Sequence, residues 1–156
     1  MKNRIFTFFL LLFLSSCGYE AIYSKKNSIN YNFFISELNF IGDRDINLKI
    51  KEKLNNYTLN KKSKNFTLKI SSNSIKVIAA KDTSGDATTF KNTIATNIEV
   101  SMNGSLKNSF VIIESFNYNN NSNKFNLKRY EKEIKNNLAE TITNKLILRL
   151  SNIQWY

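Results

Sequence analysis

The segment Phe90–Gly104, FKNTIATNIEVSMNG, predicts the fold because it joins a regular strand to a tight hairpin turn. Most of its apolar residues fall on alternate positions with polar side chains between them, which is typical of a strand with one buried face. The apolar face is predicted to hold Phe90, Ile94, Ile98, Val100 and Met102. Asn103-Gly104 then gives a two-residue hairpin signal, because both residues tolerate positive φ. We therefore expect an antiparallel sheet around this segment.

Further strands are predicted on both sides of this segment. Phe110–Tyr118 alternates in the same way and forms the second arm of the hairpin. Upstream, a strand begins at Phe66, but its apolar positions change from even to odd numbers, and we expect a β-bulge near residues 72–74. The first strand is predicted over residues 33–41, with a partial alternation through Phe34, Leu38 and Phe40.

Two amphipathic helices complete the predicted elements. In the first, apolar residues at helical spacing follow Asp43 and Asp45, either of which can cap the helix: Ile46, Ile50, Leu54 and Tyr57. The second is about six turns long, with one apolar face: Leu127, Tyr130, Ile134, Leu138, Ile142, Leu146 and Leu150. Near its end Ile147 and Leu148 widen the apolar surface, which fits either core packing or contact with a partner.

The element order β-α-β-β-β-α predicts an α+β fold. We expect a two-layer sandwich, in which a four-stranded, mainly antiparallel sheet carries two helices on one face. The other face is expected to be polar and partly basic through Lys69, Lys76 and Lys91. Lys128, Lys132 and Lys135 are expected to decorate the outside of the second helix, and Glu131 and Glu133 are expected to be solvated on its flank.

The N-terminus has the pattern of a bacterial lipoprotein signal. Lys2 and Arg4 precede an apolar run of about ten residues, too short for a span that needs roughly 20. The run ends in Leu14–Cys17, LSSC, which matches a lipobox whose cysteine thiol accepts the lipid. We predict a signal peptide over residues 1–16, an acylated N-terminus and tether over 17–32, and one domain over 33–156.

The alternative is an ordinary secretory signal followed by a chance cysteine. Cys17 is the only cysteine in the sequence, so an internal disulfide is excluded, and lipid attachment, for example of palmitate, accounts for an exported thiol. Gly18, rather than Asp, after the cysteine favours the outer membrane over the inner one. We therefore expect a lipid-anchored protein on the periplasmic side of the outer membrane.

Charge and composition narrow the functional classes. The net charge is +11, and loss of Lys2 and Arg4 with the signal lowers it to about +9. In an exported protein this favours an anionic lipid or glycolipid over nucleic acid, although abundant Lys and Asn also reflect codon bias. The absence of His excludes imidazole catalysis and His ligation of metals.

The sequence contains few patterns of catalytic or metal-binding residues. Residues 82–86, DTSGD, hold carboxylates and hydroxyls that could bind calcium weakly, but they lack the ligand spacing of a calcium loop. We expect no enzyme activity, no cofactor and no metal site.

Several short motifs together resemble the LptE family of lipopolysaccharide-assembly lipoproteins. They are Cys17–Tyr23 (CGYEAIY), Ile41–Arg44 (IGDR) followed by Leu48 and Leu54, Gly85–Phe90 (GDATTF), and Phe116–Tyr118 (FNY) followed by Phe125, Tyr130, Glu131, Leu138, Ala139, Ile142, Arg149 and Leu150. The chain departs from the family at Ala21, where Pro is usual, and at Thr89, where Arg is frequent. The missing Arg removes one positive charge that could meet a phosphate.

The resemblance implies a non-enzymatic role. It predicts an outer-membrane lipoprotein that plugs an LptD-like β-barrel, assists its assembly and helps lipopolysaccharide reach the outer leaflet. Candidate contacts to lipid phosphates are Lys76, Lys81 and Lys91, with solvated surface lysines as the alternative. The alternative function is a generic exported lipoprotein that acts as an envelope or solute-binding module.

Overall fold

In a computed structural model, which describes residues 32–153, two helices pack on one face of a four-stranded sheet. The elements are β1 (Phe33–Gly42), α1 (Arg44–Leu54), a 3-10 turn (Asn55–Tyr57), β2 (Lys64–Lys81), β3 (Ala87–Met102), β4 (Ser105–Asn119) and α2 (Lys124–Asn152). The sheet order is β1-β2-β3-β4, with β1 parallel to β2 and the other pairs antiparallel. The predicted α+β class and element order are confirmed.

The junction between β1 and α1 requires glycine and aspartate. Gly42 has φ +95°, and a Cβ there would lie 2.0 Å from the carbonyl oxygen of Ser72. Asp43 follows as the helix cap, because its Oδ1 accepts hydrogen bonds from the backbone N–H groups of Asp45 and Ile46. Of the two predicted caps, Asp43 is therefore the one used.

A polar network fixes this junction against β2 and α2. The Ser72 hydroxyl donates to Asn47 Oδ1 at 2.7 Å, and the Asn47 amide donates to the Ile41 carbonyl. Lys135 Nζ lies 2.8 Å from Asp43 Oδ2. Burial opposes ionisation of Asp43, but the hydrogen bonds from Lys135 and the α1 backbone, with the Lys135 charge, outweigh it, so the pKa of Asp43 is lowered.

The hydrophobic core lies between the sheet and the two helices. α1 packs on β1 and β2, while α2 packs on β3 and β4 and alongside α1. The core residues with no exposed surface include Ile35, Ile50, Leu54, Phe66, Leu68, Ile70, Ile94, Ile98, Val100, Ile142, Leu146 and Leu150. Thr96, also fully buried, has the one buried side-chain hydroxyl without a hydrogen-bond partner in residues 32–153.

The predicted bulge at residues 72–74 is wrong. β2 pairs with β3 in unbroken register from Thr67 to Ile78, and irregularities occur at Ile78/Ala80, Ala80/Lys81 and, in β1, Ile35/Glu37. The strand stays regular because its inner face becomes polar: Ser72 is needed in the α1 junction network. The apolar residues Ile75 and Val77 therefore point away from the helices, where they are 54% and 47% exposed.

The bulge in β1 also corrects the predicted face of the first strand. Phe33 and Ile35 are buried, and beyond the irregularity Leu38 and Phe40 pair with Leu68 and Ile70 of the inner face. Phe34 is only half-buried and is not part of that alternation. The extra residue changes the apolar positions from odd to even numbers.

Other local predictions are confirmed. Asn103 and Gly104 have φ of 52° and 77°, as a two-residue hairpin turn requires. In α2, Ile147 is buried in the core while Leu148 is half-exposed, so only Ile147 of the widened apolar surface belongs to the core. The helices in residues 32–153 are too short or too polar to cross a membrane. The signal peptide, Cys17, the tether up to residue 31 and residues 154–156 lie outside the described residues.

Candidate functional site

A basic groove of about 380 Å³ opens beside α2, over the part of the sheet beyond α1. Ser74 and Lys76 of β2, Asn92 of β3 and Tyr118 of β4 form one side. The helices contribute Asp45, Lys128, Glu131, Lys132, Lys135 and Asn136. Four lysines thus face two carboxylates, which gives the groove a net positive charge.

Two of the groove lysines are engaged within the chain. Lys76 forms an ion pair with Glu131, and its Nζ lies 4.0 Å from the centre of the Phe90 ring. Lys135 is paired with Asp43 at the cap of α1. These two side chains help to hold α2 against the sheet and against α1.

Tyr118 connects the same cluster to β4. Its hydroxyl donates to Glu131 Oε1 at 2.9 Å, and its ring packs near Phe90 and edge-on to Tyr130. Burial raises the pKa of the Tyr118 hydroxyl well above its ordinary value, and the hydrogen bond to Glu131 and the Glu131 charge raise it further. The hydroxyl is therefore a fixed, neutral hydrogen-bond donor.

The remaining two lysines are available to a ligand. Lys128 and Lys132 lie one helical turn apart on α2, and neither has a hydrogen bond or ion pair within residues 32–153. Asn92 is only 4% exposed; its Oδ1 accepts from Ser74, and its amide nitrogen donates no hydrogen bond within residues 32–153. Two free ammonium groups beside amide donors suit an anionic oxygen ligand, such as a phosphate.

The three lysines predicted to contact lipid phosphates lie in different parts of the structure. Lys76 lies in the groove, on the same face as the helices, so its predicted position on the outer face is wrong. Lys91 pairs across from Val77 and lies on the outer face, and Lys81 lies at the end of β2 beside the turn. They do not form one cluster.

The groove contains charged residues that the sequence predicts on the solvent side of the long helix. Lys128, Lys132 and Lys135 were expected only to decorate the outside of the long helix, and Glu131 was expected to be solvated. Glu131 instead accepts hydrogen bonds from both Lys76 and Tyr118. The spacing of residues 128, 132 and 135 indicates that they share one face of the helix, but it does not show which strand lies opposite that face.

The outer face of the sheet is less basic than predicted. Lys69 Nζ lies 3.3 Å from a carboxylate oxygen of Glu99, so its charge is paired. Of the lysines predicted for this face, Lys91 is the other one that lies on it. Exposed apolar side chains occupy the same face: Ile41, Ile75, Val77, Val111 and Ile113. This face therefore combines polar and apolar surface.

The turn at residues 82–86 uses its carboxylate internally. Asp82 Oδ1 accepts from the backbone N–H groups of Ser84 and Asp86, both at 2.9 Å. Within residues 32–153 no group of three or more Asp, Glu, His or Cys side chains comes close enough to hold a metal ion.

Comparisons of the fold identify a class of proteins with this architecture. Rare lipoprotein B from Shewanella oneidensis is similar with a TM-score of 0.55 at 12% identity, over 74% of this chain and 97% of that one. A minor lipoprotein from Acinetobacter baumannii gives 0.53 at 12% identity, over 76% and 92%. Lipoprotein B from Nitrosomonas europaea gives 0.54 at 8% identity, over 78% and 86%.

The chain therefore has the fold of these bacterial lipoproteins over nearly their full length. No protein-family model and no curated protein matches the sequence itself. The likeness thus rests on three-dimensional architecture, which is retained at sequence identities of 8–12%.

Proposed function

We propose that this chain is an outer-membrane lipoprotein of the LptE type, anchored through acylated Cys17 on the periplasmic side. In this role it plugs an LptD-like β-barrel and assists lipopolysaccharide transport to the outer leaflet. The observation that carries the proposal is the fold shared with rare lipoprotein B over 97% of that protein. The lipobox Leu14–Cys17 and the family motifs in the sequence support it independently. The proposed role requires no catalysis.

The basic groove adds a candidate contact for the lipid. Phosphate groups of a glycolipid are oxyanions, and charge-assisted hydrogen bonds to lysine are stronger than neutral ones. Lys128 and Lys132 are the free cations, while Lys76 becomes available if a phosphate displaces Glu131. Among the nominated lysines, Lys76 is thus better supported than Lys81 and Lys91.

Gentle purification tests the partner. A tagged chain is solubilised from membranes in mild detergent, and an outer-membrane β-barrel is expected to co-purify with it. Cys17→Ser is the matched control for the anchor, because it lacks the thiol and loses incorporation of labelled palmitate. A chain that purifies alone, and whose depletion leaves surface lipopolysaccharide unchanged, would favour a generic envelope lipoprotein instead.

Direct binding tests the groove. The double variant Lys128→Ala/Lys132→Ala is compared with Lys61→Ala/Lys107→Ala, which removes the same charge from exposed sites elsewhere. Charged hydrogen bonds contribute about 1.5–3 kcal/mol each, so the groove variant should bind lipopolysaccharide at least roughly tenfold more weakly. Dephosphorylated lipopolysaccharide should not distinguish the two variants. Equal binding by both variants would remove the groove from the proposal.

A further inference from the structure

The two edges of the sheet differ in how open they are to another strand. β1 forms one edge over 10 residues and is interrupted at Ile35/Glu37. β4 forms the other edge over 15 residues, and its pairing with β3 is regular from Thr89 to Val100. No strand within residues 32–153 pairs with the outer side of β4. A long, regular free edge is a template for strand addition.

Apolar side chains flank the β4 edge on both faces of the sheet. On the outer face, Val111 and Ile113 are 51% and 61% exposed. On the inner face, Phe116 is 45% exposed and lines a small groove with Tyr130 and Leu138 of α2. Charged residues usually protect such edges, but from Phe110 to Tyr118 the charged side chain is Glu114, which is neutralised by Lys145.

The sequence of β4 is complementary to itself in one antiparallel register. We propose that β4 pairs with β4 of a second copy of this chain around a two-fold axis at Ile112. In this register Val111 lies opposite the partner's Ile113, and Ser109 lies opposite the partner's Ser115. Both pairs occur twice. The four exposed apolar side chains then meet in one cluster on the outer face.

Charge complementarity selects the same register. The Arg149 guanidinium lies 4.8 Å from the centre of the Phe110 ring. With the axis at Ile112, Phe110 lies opposite the partner's Glu114, so each copy brings a Glu114 carboxylate, paired with its own Lys145, towards an Arg149 guanidinium of the other. Moving the axis to Ile113 places Glu114 opposite an apolar Ile112 and loses both contacts.

Like charges do not oppose this pairing along the strand. Lys107 lies opposite the partner's Asn117, and β4 contains no charged residue besides Lys107 and Glu114. The two-fold operation keeps the helices of both copies on one side of an eight-stranded sheet. The inference goes beyond the proposed transport function and does not depend on it.

Register-specific cross-linking tests the pairing in the full acylated chain. Copies with Val111→Cys and Ile113→Cys, carrying different tags, are mixed in a large excess of detergent micelles and oxidised. A mixed disulfide dimer is expected, because the two positions face each other. The control pairs Ile113→Cys with Ile75→Cys, which is similarly exposed on the outer face but two strands from the edge. The proposal is overturned if the control pair cross-links as well as the test pair. It is also overturned if Val111→Cys and Ile113→Cys form no mixed disulfide.

Sedimentation then measures the strength of self-association. Wild type should dimerise with increasing concentration, and Ile113→Lys should weaken the dimer at least roughly tenfold by placing a charge opposite Val111. Ile75→Lys is the matched control and should dimerise like wild type. Both positions are exposed, so each variant should keep the circular dichroism spectrum of the folded chain. A wild type that stays monomeric, or a Val111→Cys chain that cross-links only to a different protein, refutes the second copy as occupant.

Discussion

The two halves of the long strands β2 and β3 are built alike but packed differently. In the covered half, inner residues of β2 such as Phe66, Leu68 and Ile70 are fully buried beneath the helices. In the extended half, the inner face carries Ser74, Lys76 and Asn92, and Ile78 is half-exposed. One continuous ladder therefore serves as core at one end and as a polar groove at the other.

Element lengths explain the difference between the halves. β2 has 18 residues and is about 60 Å long at roughly 3.3 Å per residue. α1 has 11 residues and is only about 16 Å long at 1.5 Å per residue. α1 therefore covers only one part of the strand, and beyond it α2 is the single helix facing the sheet. The uncovered part needs polar residues, which then become available for binding.

Truncating one isoleucine in each half is the strongest test of this comparison. Ile70→Ala removes a fully buried side chain and should cost about 2–5 kcal/mol of unfolding free energy. Ile78→Ala, in the extended half, should cost less than about 1 kcal/mol because the side chain is half-exposed. Urea unfolding measures both. Similar losses would mean that the extended half is also packed as core.

Substitution of Gly42 tests the junction that closes the covered half. Gly42→Ala combines positive φ with a Cβ 2.0 Å from the Ser72 oxygen, so we expect a loss of about 2–3 kcal/mol. Gly104→Ala also has positive φ, but nothing lies within 4 Å, and it should cost about 1–2 kcal/mol. Thermal or urea unfolding compares the two variants. Equal losses would show that the close approach to β2 is not needed.

Titration of Asp43 tests the electrostatic part of the same junction. The folded-state pKa of Asp43 is lowered. The ionised carboxylate therefore contributes fully to the free energy of unfolding above the unfolded-state pKa, near 4, and this contribution is lost as pH falls through the folded-state pKa. Asp43→Ala should cost about 1–2 kcal/mol at pH 7 through the lost cap and ion pair. Asp43→Asn keeps a capping oxygen and should differ from wild type near neutral pH, and the difference should shrink as the pH falls below about 4. Urea midpoints between pH 2 and 7 provide the measurement. If the midpoints of wild type and Asp43→Asn change with pH in parallel, the lowered pKa does not belong to Asp43.

The smallest effect is expected in the extended half, at Tyr118. Tyr118→Phe removes the hydroxyl that donates to Glu131 and should cost about 1 kcal/mol. In a double-mutant cycle with Glu131→Ala, which removes the acceptor, the two changes should be coupled by at least roughly 0.5 kcal/mol. Unfolding of the four proteins in urea gives the coupling energy. Additive losses would mean that the groove cluster does not hold α2 to the sheet.

Local signals predicted much of this fold correctly. The alternation over Phe90–Gly104 identified β3 and its hairpin, and the helical spacing from Leu127 to Leu150 identified α2, because each pattern depends on neighbours in the chain. The same reasoning failed at residues 72–74. There the sequence suggested a bulge, whereas the structure keeps the strand regular and exposes Ile75 and Val77.

The sequence by itself determined the α+β class, the element order and the hairpin turn, since these follow from local periodicity and short motifs. The tertiary structure alone decided which side chains share a site. Lys76 and Lys91 are separated by the sheet, while Lys128 and Lys132 of α2 join Asn92 of β3 in one groove. The physical reason is that α1 is much shorter than β2. A local sequence pattern predicts the length of each element but not how far along the sheet a helix extends once the two are packed.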